Sequence, residues 1–163
     1  DIGTGSGAIA ASLKKSRPMW QVTASDLSAD ALVLAKDNAK LNRVDISFVL
    51  ADVFENVSGC FDIIVSNPPY ISENDKDEVG LNVLTSEPKM ALFADEDGLA
   101  IYRQILEDAD KYLNPQGKLY FEIGYKQGED LRKLLSLHFP DKHVRVLKDQ
   151  FGQDRMVVMD DGK

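Results

Sequence analysis

Three glycines at alternate positions, Gly3, Gly5 and Gly7 within Asp1-Ile2-Gly3-Thr4-Gly5-Ser6-Gly7-Ala8, constrain this chain more than any other feature. Without a Cβ the backbone can approach a ligand closely, and a helix that follows offers its free N–H groups to the same ligand. Thr4 and Ser6 add hydroxyls. Such a loop follows a strand, central in folds of this kind, yet only Asp1 and Ile2 precede Gly3 and there is no initiating Met. Further residues are therefore expected upstream, since removing a central strand exposes its neighbours' unpaired edges.

Beyond the loop, helix and strand signals alternate, which predicts an α/β fold with a mainly parallel sheet covered on both faces. Ala31, Leu34, Ala35 and Leu41 mark one face of a helix over Ala29–Leu41. Leu99, Tyr102, Ile105, Leu106, Ala109 and Leu113 mark a second, closed by Asn114-Pro115. Leu131, Leu134, Leu135 and His138 mark a third. Strands are expected over Trp20–Ser25, Ile46–Ala51, Phe61–Ser66 and Leu119–Ile123, with Val144–Leu147 and Met156–Met159 closing the sheet. From Ile71 to Asp97 acids are many and periodic apolar positions few, so this stretch reads as a loop or lid.

Two acids end predicted strands. Asp26 comes 19 positions after Gly7, where a carboxylate accepts both hydroxyls of a ribose. Asp52 follows Ile46–Ala51 and presents a carboxylate to an adenine amino group, with Val53 or Phe54 against the ring. Gly3, Gly5 and Ala8 also satisfy a dinucleotide fingerprint, so the loop alone leaves a nicotinamide cofactor open.

Asn67-Pro68-Pro69-Tyr70 lies directly after Phe61–Ser66. The prolines fix their own φ and remove two donors, and each pushes the residue before it toward extended geometry. A stiff arc of acceptors remains. The Asn67 side-chain oxygen and a Pro68 carbonyl suit the two hydrogens of a planar amide or amino group, Pro69 locks the arc, and Tyr70 stacks on the planar face. The bland reading is a rigid turn that ends a strand. Methyl transfer onto nitrogen is the chemistry this arc fits best.

Composition limits other roles. With 163 residues, 44% of them hydrophobic, and mean hydropathy −0.24, the chain reads as one domain over residues 1–163. No apolar run approaches the roughly 20 residues that span a bilayer. A net charge of −8 argues against a broad nucleic-acid-binding face, which needs clustered Lys and Arg. The single cysteine, Cys60, excludes an intrachain disulfide and fits a reducing, cytoplasmic setting. His138 and His143 form no metal set with it, and no metal is expected.

Together these pieces resemble the class I methyltransferases that use S-adenosylmethionine, and more narrowly the release-factor glutamine methyltransferases. The resemblance is carried by Asp1–Ala10 (DIGTGSGAIA), Asp26, Asp52, Phe61–Ile71 (FDIIVSNPPYI), Glu87-Pro88 with Ala91-Leu92, Asp97-Gly98-Leu99, Glu122-Ile123-Gly124 with Gln127, and Asp154-Arg155. It implies a Rossmann-like, seven-stranded sheet with an antiparallel last strand, its first strand largely missing here, and an upstream helical domain that recognises the substrate. The cofactor implied is S-adenosylmethionine, held by Gly3, Thr4, Gly5, Ser6, Gly7, Asp26, Asp52, Val53 and Asn67. The substrate implied is the glutamine of the Gly-Gly-Gln loop of a peptide chain release factor, bound by Asn67, Pro68, Pro69 and Tyr70, with Glu87 as part of its wall. Val53 stands where some relatives carry an aromatic. Rival readings are an amino methyltransferase acting on a flipped base, a glutamine methyltransferase of a ribosomal protein, and a domain that binds cofactor without catalysis. No general base is evident; Glu122 reads equally as a satisfied strand-end carboxylate. Oligomeric state is not legible.

Overall fold

The computed structural model describes residues 1–72, 93–94 and 98–162. The chain divides into two compact units, Asp1–Gly59 with Ile64–Asn67, and Cys60–Ile63 with Pro68–Lys163.

The first unit contains α1 (Ala8–Ser16), β1 (Thr23–Asp26), α2 (Ala29–Asn42), β2 (Ser47–Leu50) and the end of β3 (Phe61–Ser66). β1 and β2 pair in parallel, Thr23 opposite Ser47 and Asp26 opposite Leu50. Ile2 makes parallel bridges to Ser25 on one side and Ser66 on the other, and its N–H donates to the Val65 carbonyl at 2.9 Å. Ile2 thus occupies the place expected of the central strand, and the buried Ser66 hydroxyl donates to its carbonyl at 2.7 Å.

α2 begins at Ser28, whose hydroxyl accepts the Ala31 N–H at 3.2 Å and satisfies one of the helix's orphan donors. Its buried face is Leu32, Ala35 and Ala39. The expected stripe is corrected here: Leu34 and Leu41 are 52% and 80% exposed. The reason is close helix approach. A Cβ on Gly7, at the start of α1, would lie 3.0 Å from the Ala35 Cβ, so the two backbones approach closely where Gly7 meets Ala35.

The second unit contains β4 (Ile71–Ser72), β5 (Phe93–Ala94), α3 (Ala100–Tyr112), β6 (Leu113–Glu122), α4 (Gly128–His138), β7 (His143–Lys148) and β8 (Asp154–Asp160). β4 and β5 pair in parallel. The main sheet, to which β3 contributes, has the order β3-β6-β8-β7. β8 is antiparallel to both neighbours, Leu119 facing Met159 and Val146 facing Val157, which is the reversed last strand expected.

Tyr102, Ile105, Leu106 and Ala109 of α3 are buried, as are Leu131 and Leu135 of α4. They share the core with Leu119, Phe121 and Val157–Met159. The Tyr102 and Phe121 rings meet edge to face, centroids 5.3 Å apart. Asn114-Pro115 does follow the end of α3, but it opens β6 instead of forming a separate loop. His138 is exposed at the end of α4. Among the described residues no helix is long and apolar enough to cross a membrane, and no cluster of metal-ligating side chains occurs.

Candidate functional site

In the first unit the glycine loop is held by the strand ends around it. The Thr4 N–H donates to the Ser25 carbonyl at 2.9 Å, and the Gly7 N–H returns to the Thr4 carbonyl at 2.9 Å. Asn38 of α2 donates its amide to the Ser6 carbonyl at 2.8 Å. Gly3, Gly5 and Gly7 all have positive φ, and added Cβ atoms on Gly3 or Gly5 would meet no protein atom within 4 Å. The loop is therefore an open cradle at the start of α1, where backbone N–H groups favour negative charge.

Asp1 supports the cradle from below. One carboxylate oxygen accepts the Thr4 hydroxyl at 2.6 Å and the Ala10 N–H at 3.2 Å, while Oδ1 is buried without a hydrogen-bond partner. A buried acceptor of this kind asks for one more donor. An open cradle beside an unsatisfied acceptor fits a ligand that carries both an anionic group and N–H or O–H donors, and the nucleoside and amino-acid ends of S-adenosylmethionine supply them.

Asp26, half-buried at the end of β1, accepts the Gly5 N–H on one oxygen and the Ser28 N–H on the other, each at 2.8 Å. Each oxygen keeps a lone pair for a further donor. The Ala51 N–H donates to the Asp26 carbonyl at 3.0 Å, bringing the end of β2 beside it. There Asp52 is exposed, whereas Val53 and Phe54 are buried. Val53 has φ +52, a left-handed conformation that is an outlier for a β-branched side chain. That strain has no sequence signature, since Val ordinarily signals extended backbone. Asn67 lies exposed at the end of β3, one residue beyond the buried Ser66.

In the second unit Pro68 is buried, and Pro69 and Tyr70 are half-buried. Tyr70 is held through its main chain. Its carbonyl accepts from the Gln127 amide at 3.0 Å, and its phenol lies within the electrostatic influence of Glu122 and Arg155. Burial raises the Tyr70 pKa, the Glu122 carboxylate raises it further, and Arg155 opposes both; Tyr70 stays a neutral phenol at physiological pH. Arg155 is in turn oriented by Asp149, at 3.4 Å, and by the Ile123 carbonyl, at 3.4 Å. Tyr102, its pKa raised chiefly by burial, donates to the Glu122 carbonyl at 2.5 Å.

The distal sequence markers Glu122–Gly124, Gln127 and Arg155 thus converge on Tyr70. Their spacing in sequence could not reveal this, because it depends on β6 and β8 running antiparallel with Glu122 opposite Met156. Glu87, with Pro88, Ala91, Leu92 and Asp97, lies outside the described residues.

The profile of the methyltransferase small domain family matches residues 1–94. The chain is 63% identical over its whole length to the release factor glutamine methyltransferase of Streptococcus pneumoniae, covering 58% of that protein. It is 48% identical over 96% of its length to that of Lactococcus lactis subsp. lactis, again covering 58%. The chain therefore spans somewhat over half the length of the curated relatives it matches. Among solved structures, the ribosomal protein L11 methylase of Lactobacillus delbrueckii subsp. bulgaricus aligns over 98% of this chain and 67% of its own, with TM-score 0.71 and 24% identity. That likeness establishes the fold as the class I, Rossmann-like methyltransferase fold. The resemblance read from the glycine loop and Asn-Pro-Pro-Tyr is borne out, and the chain belongs to the methyltransferase small domain family.

Proposed function

We propose that this chain is the catalytic domain, over residues 1–163, of an enzyme that transfers a methyl group from S-adenosylmethionine to the side-chain amide nitrogen (N5) of the Gly-Gly-Gln glutamine of a peptide chain release factor. The observation that carries the reading is the intact Asn67-Pro68-Pro69-Tyr70 arc, in a chain 63% identical to a release factor glutamine methyltransferase. When bound, S-adenosylmethionine supplies a methyl group on a positively charged sulfur. Gly3, Thr4, Gly5, Ser6 and Gly7 cradle it, Asp26 takes the ribose hydroxyls, and Asp52 and Val53 take the adenine. A release-factor substrate places the reaction in the cytoplasm.

An amide nitrogen is a poor nucleophile because its lone pair is delocalised into the carbonyl. Asn67 and the Pro68 carbonyl accept hydrogen bonds from its two N–H groups and favour charge building on nitrogen, an effect whose value lies in the transition state; the one proton released on methylation passes to solvent. Pro69 fixes the arc, Tyr70 covers the amide plane, and Glu87 belongs to the substrate wall. Orientation dominates: holding reacting atoms in line removes roughly 7–11 kcal/mol in favourable cases, more than one hydrogen bond supplies.

The test is to incubate the full-length protein with methyl-labelled S-adenosylmethionine and, separately, release factor, ribosomal protein, DNA and RNA. Label on the Gly-Gly-Gln glutamine is expected. Label confined to nucleic acid, or to a ribosomal protein, would reject the reading.

A further inference from the structure

We infer that Gln127 is a positioning residue for methyl transfer, a buried amide bracket that fixes the main chain of Tyr70 where the Asn-Pro-Pro-Tyr arc ends. This rests on the function proposed above and adds a residue to it. The Gln127 side chain spans two backbone groups: its oxygen accepts the Gly124 N–H at 2.9 Å, and its nitrogen donates to the Tyr70 carbonyl at 3.0 Å. Gln127 is 8% exposed, so water competes little for either contact.

Four observations separate this role from ordinary helix chemistry. Gln127 occupies the N-cap of α4 yet makes no side-chain cap hydrogen bond, and Gln is not among the residues that cap well. Its amide reaches instead to a residue 57 positions away in sequence. Gly98 packs over the same contact: a Cβ there would lie 2.1 Å from the Tyr70 carbonyl oxygen and 2.5 Å from the Gln127 amide nitrogen. Finally, a Cβ on Gly124 would lie 3.2 Å from Tyr70 Cδ2 and 3.1 Å from the Gln127 oxygen, so the bracket also sets the surface against which the ring rests.

The two prolines make the arc stiff, so a fixed Tyr70 limits where Pro68 presents its carbonyl. A stiff arc anchored at one end transmits small displacements, and misplacement on the ångström scale costs heavily in turnover.

The test compares wild type with Gln127→Met, which keeps side-chain length without either hydrogen bond, and Gln127→Glu, which keeps the acceptor for Gly124 but turns a carboxylate oxygen toward the Tyr70 carbonyl. Carbonyl-13C tyrosine combined with 15N isoleucine reports on Tyr70 directly, because Tyr70-Ile71 is the one Tyr-Ile pair in this sequence. Both variants are expected to move that resonance and to lower kcat about tenfold or more, the scale of one lost hydrogen bond, while the Kd of S-adenosylhomocysteine stays within about twofold. Three results would overturn the inference: an unmoved Tyr70 resonance, a moved resonance with kcat unchanged, or kcat and cofactor affinity falling together. If the wild-type protein labels no release factor, the proposed function fails instead, and turnover is read on whichever acceptor it does label.

Discussion

The Asp26 carboxylate accepts the Gly5 N–H at 2.8 Å, so the acid at the end of β1 holds the glycine loop in shape. Its other oxygen secures the Ser28 N–H at the start of α2. One side chain therefore organises the loop while keeping lone pairs for further donors. Asp26→Asn replaces one acceptor by a donor and is expected to weaken S-adenosylhomocysteine binding about tenfold or more, since hydrogen bonds to a charged group are worth roughly 1.5–3 kcal/mol. Calorimetry giving an unchanged Kd would remove Asp26 from the cofactor site.

Substitution at Asn67 is expected to separate binding from chemistry. Exposed at the end of β3, Asn67 contributes little to the buried core, so Asn67→Ala should leave the fold intact. Turnover is expected to fall at least about 100-fold, the scale of one positioned catalytic group, with much smaller change in cofactor affinity. Near-wild-type turnover would refute the role given to this amide.

Gly7 tests the approach of α1 to α2. With φ +78 and an added Cβ only 3.0 Å from the Ala35 Cβ, Gly7→Ala combines a left-handed backbone cost of about 1–2 kcal/mol with crowding against the buried Ala35. Thermal unfolding should move down by several degrees. An unchanged Tm would mean that α1 shifts freely.

Arg43 offers the opposite sign. It ends α2 with φ +56, its N–H bonded to the Ala39 and Lys40 carbonyls and the Val44 N–H returning to Ala39 at 3.0 Å, a left-handed cap that glycine fills without steric cost. Arg43 is exposed and loses little packing on truncation. Arg43→Gly is expected to stabilise by about 0.5–1 kcal/mol, a rise of roughly 2–4 °C at most. A lower Tm would contradict the cap assignment.

Asp149 makes the β7–β8 turn acid-sensitive. Burial pulls its carboxyl pKa up, but the Gln153 and Phe151 N–H groups and the Arg155 guanidinium outweigh that and hold it below the ordinary value. A depressed folded-state pKa stabilises above the unfolded value and is lost as pH falls through the folded one, so the turn should loosen below about pH 4. The protection factors of the Phe151 and Gln153 amides, normalised to intrinsic exchange at each pH, should fall there in wild type, and Asp149→Asn should abolish that fall. Equal protection on both sides of that pH would sink the assignment.

Much of the fold was legible in local pattern. Because burial on one face writes a period into the sequence, alternating signals located the main helices and strands, though β6 begins at Leu113 and not at the expected Leu119. The face of α2 differs from the expected stripe of Ala31, Leu34, Ala35 and Leu41: the buried residues are Leu32, Ala35 and Ala39, and of these Ala35 packs against Gly7. Pattern records which residues are apolar, not how closely another backbone approaches.

By itself the sequence determined the class of chemistry, since a glycine loop, strand-end acids and Asn67-Pro68-Pro69-Tyr70 are short segments whose covalent stiffness and functional groups carry their meaning locally. Only the tertiary structure decided what holds them. Asp26 reaches Gly5 across 21 positions, and Gln127 reaches Tyr70 across 57. Hydrogen bonds of that kind depend on distances of about 3 Å set by sheet register, which no spacing along the chain specifies.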